Sequence, residues 1–222
     1  MKKALAFAVL LALATQASAI PVVYTDTASF LGRVRPGSYT EAFEGLTPDT
    51  IHTSLAFSGG GGYSYTASAF SLDVDGLPVP GDLYVNGPGS DGFSTIALSV
   101  YNSGETMLFD FSAGTLPTAI GGNFYASGSP DTAPVLGEIV VTLTSGSTFA
   151  WPITDADAST FTGFTSWNDP ISSMSIHIPN VVSWPTVDNL VVGTAVPDGG
   201  TTLVLLGGAL TGLGVLRRKF RG

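Results

Sequence analysis

Between residues 20 and 195 the chain is cut into runs of five to eight residues by Gly, Pro, Asn, Asp and Ser clusters. The runs are Tyr39–Phe43, Ser94–Tyr101, Thr106–Phe111, Ala119–Tyr125, Glu138–Leu143, Thr148–Ile153, Ser173–Ile178 and Thr186–Val192. Each is too short for a helix that could bury a face, and several alternate. Met174, Ile176 and Ile178 interleave with Ser173, Ser175 and His177, a period of two that puts the apolar set inside and His177 toward solvent. Two further β-like stretches, Ile51–Phe57 and Tyr63–Thr66, flank Gly59–Gly62, which reads as a loop because no helix follows to make a phosphate cradle. Only Asp26, ahead of Ala28, Phe30 and Leu31, suggests a capped helical turn. Many short strands without intervening helices predict an all-β fold, an antiparallel β-sandwich or jelly roll.

No cysteine is present, which excludes disulfides, thiolate metal sites and a cysteine nucleophile, and two histidines leave little for imidazole zinc chemistry. Of the eight basic residues only Arg33 and Arg35 fall within residues 20–197, against sixteen acidic ones, a formal charge of −14. Such a surface repels nucleic acid and anionic lipid and suits solubility or divalent cations.

The two ends are different in kind. Lys2 and Lys3 precede an uncharged apolar run, Ala4–Ala14, and Ala17-Ser18-Ala19 supplies a small-x-small cleavage site. Residues 1–19 are therefore expected to be a signal peptide, removed by signal peptidase. At the other end Val196-Pro197-Asp198-Gly199-Gly200 is a turn sequence. Thr201–Leu216 then runs sixteen residues without charge, and Arg217, Arg218, Lys219 and Arg221 close the chain. About 24 Å of helix is short for a ~30 Å hydrocarbon core, so this is a marginal transmembrane helix with a basic stop-transfer cluster on the cytoplasmic side. The expected division is signal peptide 1–19, ectodomain 20–195 and tail 196–222. A permanent anchor is the alternative to a processed tail.

The order of motif, glycine-rich apolar helix and terminal basic cluster resembles the PEP-CTERM sorting tails. The motif Val196, Pro197, Asp198, Gly199, Gly200 is similar to the Val-Pro-Asp-Ser-Gly variant, with Gly199 in the Ser position. This resemblance implies an exosortase-type membrane peptidase of Gram-negative bacteria as partner, a membrane contact that is transient, and delivery to the cell surface or the extracellular polysaccharide.

No Gly-x-Ser-x-Gly, His-Glu-x-x-His, phosphate loop or dinucleotide fingerprint occurs, and no catalytic residue is assigned. Glu41, Glu44, Glu105 and Glu138 are the only glutamates from which a glycosidase pair could be drawn. Asp73-Val74-Asp75-Gly76 and Asp155-Ala156-Asp157 imitate fragments of calcium loops without completing one and are expected in ordinary turns. Phe43-Glu44-Gly45-Leu46, closing an early strand, and Val187-Asp188-Asn189-Leu190, opening the last, resemble segments of secreted jelly-roll domains, among them carbohydrate-binding modules. That resemblance implies a structural Ca²⁺ held by Glu44 and Asp188 where the first and last strands meet. Trp151, Trp167 and Trp184, with Tyr63, Tyr65 and Tyr125, are the aromatic rings available to stack on sugars, core packing being their alternative use. The reading that results is a non-enzymatic structural or adhesive protein of the surface or matrix. A carbohydrate-binding module comes second and a glycan hydrolase third.

Overall fold

A computed structural model describes residues 20–88, 95–128, 137–153, 160–179, 182–196 and 207. Two antiparallel sheets face each other. The larger takes β1 (Val22–Tyr24), β2 (Tyr39–Glu41), β3 (Ile51–His52), β7 (Leu83–Asn86), β8 (Ala97–Val100), β10 (Ala119–Gly128), β13 (Phe161–Thr165) and β15 (Ser183–Gly193). Its order is β1-β13-β10-β15-β8-β7-β3, and β2 shares with β8 the same side of β15. The smaller sheet takes β4 (Ser54–Ser58), β5 (Ser64–Leu72), β6 (Pro78–Gly81), β9 (Thr106–Asp110), β11 (Gly137–Leu143), β12 (Thr148–Ile153) and β14 (Ile171–His177). Its order is β12-β11-β14-β9-β5-β4, with β6 paired to the far half of β5.

The alternation read from the sequence is realised in β14. Met174, Ile176 and the following Ile178 are fully buried, while His177 faces outward, its Nδ1 3.1 Å from Thr106 Oγ1. Facing positions of the other strands complete the core: Phe109 and Met107 from β9, Ile139 and Val141 from β11, Leu98 from β8, Phe124 from β10, Val187 and Leu190 from β15. The short helix α1 (Thr27–Leu31) is capped by Asp26, whose Oδ1 accepts from Ser29 N at 2.8 Å. It packs on the outside of the larger sheet, where Phe30, Val34, Ala119, Phe161, Val191 and Ala195 form a second, smaller core. Gly121 and Gly163 lie opposite each other in the β10–β13 register, and an added Cβ at either would strike the Phe30 ring at 2.4–3.0 Å. Two aligned residues without side chains thus make the slot into which α1 sets its aromatic ring.

The sandwich has two distinct ends. At one, β10 begins and β15 finishes, Ala119 opposite Gly193, and β14 begins with Ile171 N bonded to Pro117 O. The chain leaves the fold here: Ala195 bridges Val34, Arg35 N donates to Thr194 O, and Val196 N donates to Arg33 O at 2.7 Å. At the other end lie Ser127, Trp184 and Tyr101 of the larger sheet and the β5–β6 hairpin of the smaller.

Candidate functional site

The last strand decides what reaches the outer face of the larger sheet. Residue Asn189 has φ +52°, and the β10–β15 register slips between Gly121 and Asn123. Such a bulge inserts one residue and reverses the side to which the following side chains point. Before it, Val187 faces the core while Trp184, Thr186 and Asp188 face outward; after it, Leu190 and Val192 occupy the core. In β7 the same alternation sends Leu83 and Val85 inward and Tyr84 and Asn86 outward.

Of these outward residues Tyr84, Asn86 and Trp184 line a cavity of about 180 Å³ with Ser99, Val100, Tyr101 and Ser127. Its rim is aromatic. The Tyr84 and Tyr101 rings stand 6.0 Å apart and tilted by 47°, and the Trp184 indole N–H donates to Tyr101 O at 3.2 Å. Tyr84 is further held by its hydroxyl donating to Asp49 Oδ1 at 2.7 Å, and Tyr101 is about half exposed. The floor is polar and nearly solvent-free: Asn86, Ser99 and Ser127 are all buried, as is Thr186, which bonds Ser127 without lining the cavity. Asn86 Nδ2 donates to Ser99 Oγ, and Ser127 Oγ lies 2.7 Å from Thr186 Oγ1. The last two hydroxyls also reach Trp184 O, Ser127 Oγ at 3.4 Å and Thr186 Oγ1 at 3.2 Å, so Ser127 keeps acceptor capacity and Ser99 its own O–H. Rings set by neighbouring bonds over a satisfied polar floor can receive a flat, hydroxylated ligand without reorganising.

Farther down the same face the structure brings the proposed metal residues into one neighbourhood. Asp188 is buried; its Oδ2 accepts from Thr95 Oγ1 at 2.9 Å and its Oδ1 from Asn189 N at 2.7 Å. Burial holds this carboxyl above the usual Asp range, the bonds from Thr95 and Asn189 pull it back, and the charge of Glu44 adds to the upward push. Glu44 itself is exposed, with Ile96 N 3.5 Å from its Oε1. The route differs from the expected one. The first strand, β1, lies on β13, and it is the second strand, β2, that pairs with β15 through Leu190 and Glu41. Residues 187–190 sit inside the last strand, at its bulge, and do not open it. Two carboxylates and the Thr95 hydroxyl are hard oxygen donors of the kind that suits Ca²⁺. Among the described residues no group of three or more His, Cys, Asp or Glu is assembled.

The remaining candidates separate. Tyr63, Tyr65 and Tyr125 are buried, while Trp184 and Trp151 are partly buried and both pack against the core, Trp184 also lining the cavity and Trp151 standing beside Phe149 with their rings 6.4 Å apart. Trp167 is exposed in the turn between β13 and β14. Glu41 accepts from Tyr39 OH and from Phe43 N, and Glu105 accepts from Asn102. Glu138 and His177 line a separate cavity of about 360 Å³ on the smaller sheet, walled by Trp151, Pro152 and Pro179. Asp73 Oδ1 accepts from Asp75 N and Leu77 N, an ordinary turn as expected. Asp155 and Asp157 lie outside the described residues, as do the signal segment 1–19, Pro197, Asp198, Gly199, Gly200, Arg217, Arg218, Lys219 and Arg221. Of the sorting motif only Val196 is described, half-exposed at the end of the fold. No helix among the described residues is long and apolar enough to cross a membrane. Tyr84 and Tyr101 were not singled out from sequence; the alternation of Leu83, Tyr84, Val85 and Asn86 was the signal that placed one of them outward.

The end of the chain has a known counterpart. Residues 195–220 match the VPDSG-CTERM motif. The chain thus carries a PEP-CTERM-like C-terminal sorting tail, the mark of an exported, surface-associated protein. No curated protein matches the chain. Among solved structures it is similar to a variant of a family 29 carbohydrate-binding module (16% identity over 59% of this chain and 87% of that one, TM-score 0.34). It is also similar to the family 32 module of NanJ from C. perfringens, solved with galactose (14% identity, 58% and 92%, TM-score 0.32). A third is the CBM22-1 xylan-binding domain of Xyn10C from Paenibacillus barcinonensis (12% identity, 68% and 99%, TM-score 0.33).

Proposed function

We propose that this protein is an exported, non-enzymatic component of the cell surface or extracellular matrix that binds polysaccharide in the Tyr84–Tyr101–Trp184 groove. The observation that supports this most is the pairing of aromatic rim with buried polar floor on one open sheet face. A sugar ring has apolar C–H faces and a polar hydroxyl edge. Aromatic rings accept the first, and the Asn86 amide with the Ser99 and Ser127 hydroxyls answers the second. The cavity is smaller than the ~300–1,000 Å³ of enclosed small-molecule sites, which favours one or two units of a chain lying along the sheet over an engulfed ligand. Processing of the tail by an exosortase-type peptidase would release the domain to the surface, and Ca²⁺ between Glu44 and Asp188 would stiffen the face that carries the groove.

The test is retention of residues 20–196 in native gels cast with polysaccharides, including that of the producing organism. Mobility should fall in the gel holding the cognate glycan and recover on Trp184→Ala. A domain that migrates identically in every gel contradicts the reading.

A further inference from the structure

The tail leaves the fold with no spacer. Val196 is still hydrogen-bonded to Arg33, and the uncharged run begins at Thr201, five Cα steps on and at most about 18 Å away. Whatever receives that run must therefore lie close to this end of the sandwich. Here too β1 starts, beside Thr165, which pairs with Ala119, which pairs with Gly193. The surface at this end carries the ectodomain's basic residues. Arg33 and Arg35, the only basic residues among 20–197, are both exposed on it, in the segment that bridges Ala195. Exposed Ile20, Leu31 and Val196 accompany them. Asp110 and Asp169 also lie at this end, but on the side of the smaller sheet.

We propose that, while the tail is attached, the domain stands end-on on an anionic bilayer. The Arg33–Arg35 segment then meets lipid headgroups and the groove points away. This rests on the reading that the tail enters the membrane. Fourteen net negative charges repel such a surface in every other orientation. At a Debye length of ~8 Å only the end held down by the tail is close enough for its charges to matter. Two arginines at the surface are together worth about 30-fold in local binding, about five-fold each. From Gly193 to Trp184 the last strand spans nine residues, about 30 Å at ~3.3 Å per residue. The groove is thereby presented to the extracellular side while the motif stays at the membrane, where an embedded peptidase works.

Absence of cysteine makes the test clean. The chain with its tail intact is prepared with a single fluorophore on Pro36→Cys or on Val74→Cys at the tip of the β5–β6 hairpin. Each is mixed with vesicles of phosphatidylglycerol and phosphatidylethanolamine carrying a headgroup quencher. Quenching at least three-fold stronger at position 36 than at 74 is expected. The double variant Arg33→Glu, Arg35→Glu should shrink that difference at least two-fold, by letting the domain tilt about its tether, while the protein still floats with the vesicles. Equal quenching at both positions in the parent overturns the end-on arrangement, and a difference undiminished by charge reversal overturns the part assigned to Arg33 and Arg35. A chain that does not float at all overturns the tail-insertion reading and the proposal with it, and leaves the groove's glycan reading standing.

Discussion

Replacing Gly163 by Ala probes how α1 is locked to the larger sheet. The new Cβ would sit 2.4 Å from Phe30 Cδ2 and 2.8 Å from Phe30 Cγ, well inside the ~3.5–4.0 Å of favourable carbon contacts. The Phe30 ring is fully buried and wedged 5.4 Å from Phe161, so it cannot swing away. Overpacking of this kind costs about 1–3 kcal/mol, or about 2–12 °C in Tm for a domain of this size. Phe30→Ala alone should cost about 3–5 kcal/mol by leaving a cavity. In that background the two closest clashes of the Gly163→Ala methyl are gone, and the remaining contact, Phe161 Cε1 at 3.0 Å, is relieved by a small shift of that ring into the space Phe30 vacates. Because φ at 163 is not positive, Ala then brings only its unfolded-state benefit of about 0.4–1 kcal/mol. A double-mutant cycle by urea denaturation of residues 20–196 should thus give a coupling of at least about 1.5 kcal/mol between positions that are far apart in sequence. Additive effects, or a Gly163→Ala variant within about 0.5 kcal/mol of the parent, would refute the slot reasoning.

Calcium at tenfold excess over its Kd should raise stability by about 1.4 kcal/mol, hence Tm by about 3–6 °C relative to chelator. Asp188→Ala should abolish that difference, with magnesium at matched ionic strength as control, and identical melting with and without calcium would return Glu44 and Asp188 to ordinary acids. Asp169, held below the usual Asp range by bonds from Ser145 and Thr144, contributes stability above its unfolded pKa of ~3.9 that is lost as pH falls through the lower folded value. Asp169→Asn should therefore lower the urea midpoint near neutral pH and converge with the parent near about pH 2; a constant offset would contradict it. Intact-mass analysis of surface-extracted protein should show a species lacking residues 1–19 and the segment after about Pro197, and a dominant form retaining Arg217–Gly222 would make the tail a permanent anchor.

Strands that keep one face toward the core were legible: β14 shows its alternation in plain sequence, and β9, β11 and β12 follow their expected spans closely. Legibility failed where both faces are covered or where pairing ignores local propensity. All five residues of β13 are buried because α1 lies across its outer side, so no period of two remains to be read. Pro78 and Pro80 argue against a strand, yet β6 pairs with β5 as a short edge where a missing N–H is tolerated. The register slip at Asn189 carries no signature that sequence inspection would notice, and it alone puts Asp188 outside and Leu190 inside. Asp188 and Glu44 come near each other through the adjacent Thr95 and Ile96, and not through the first strand, which lies on β13. The groove was only one-third visible: Trp184 was among the aromatic candidates, but Tyr84 and Tyr101 acquire their meaning from β7 and β8 being laid beside β15.

Calorimetric titration of residues 20–196 with the polysaccharide that retards it in native gels addresses the groove most directly. The parent should bind, Trp184→Ala and Tyr101→Ala should each weaken binding at least ten-fold, and Trp167→Ala, an exposed indole outside the cavity, should leave it unchanged, all with Tm within about 3 °C of the parent. Undiminished affinity in the Trp184→Ala and Tyr101→Ala variants, or a loss that appears only on Trp167→Ala, would contradict polysaccharide binding in this groove.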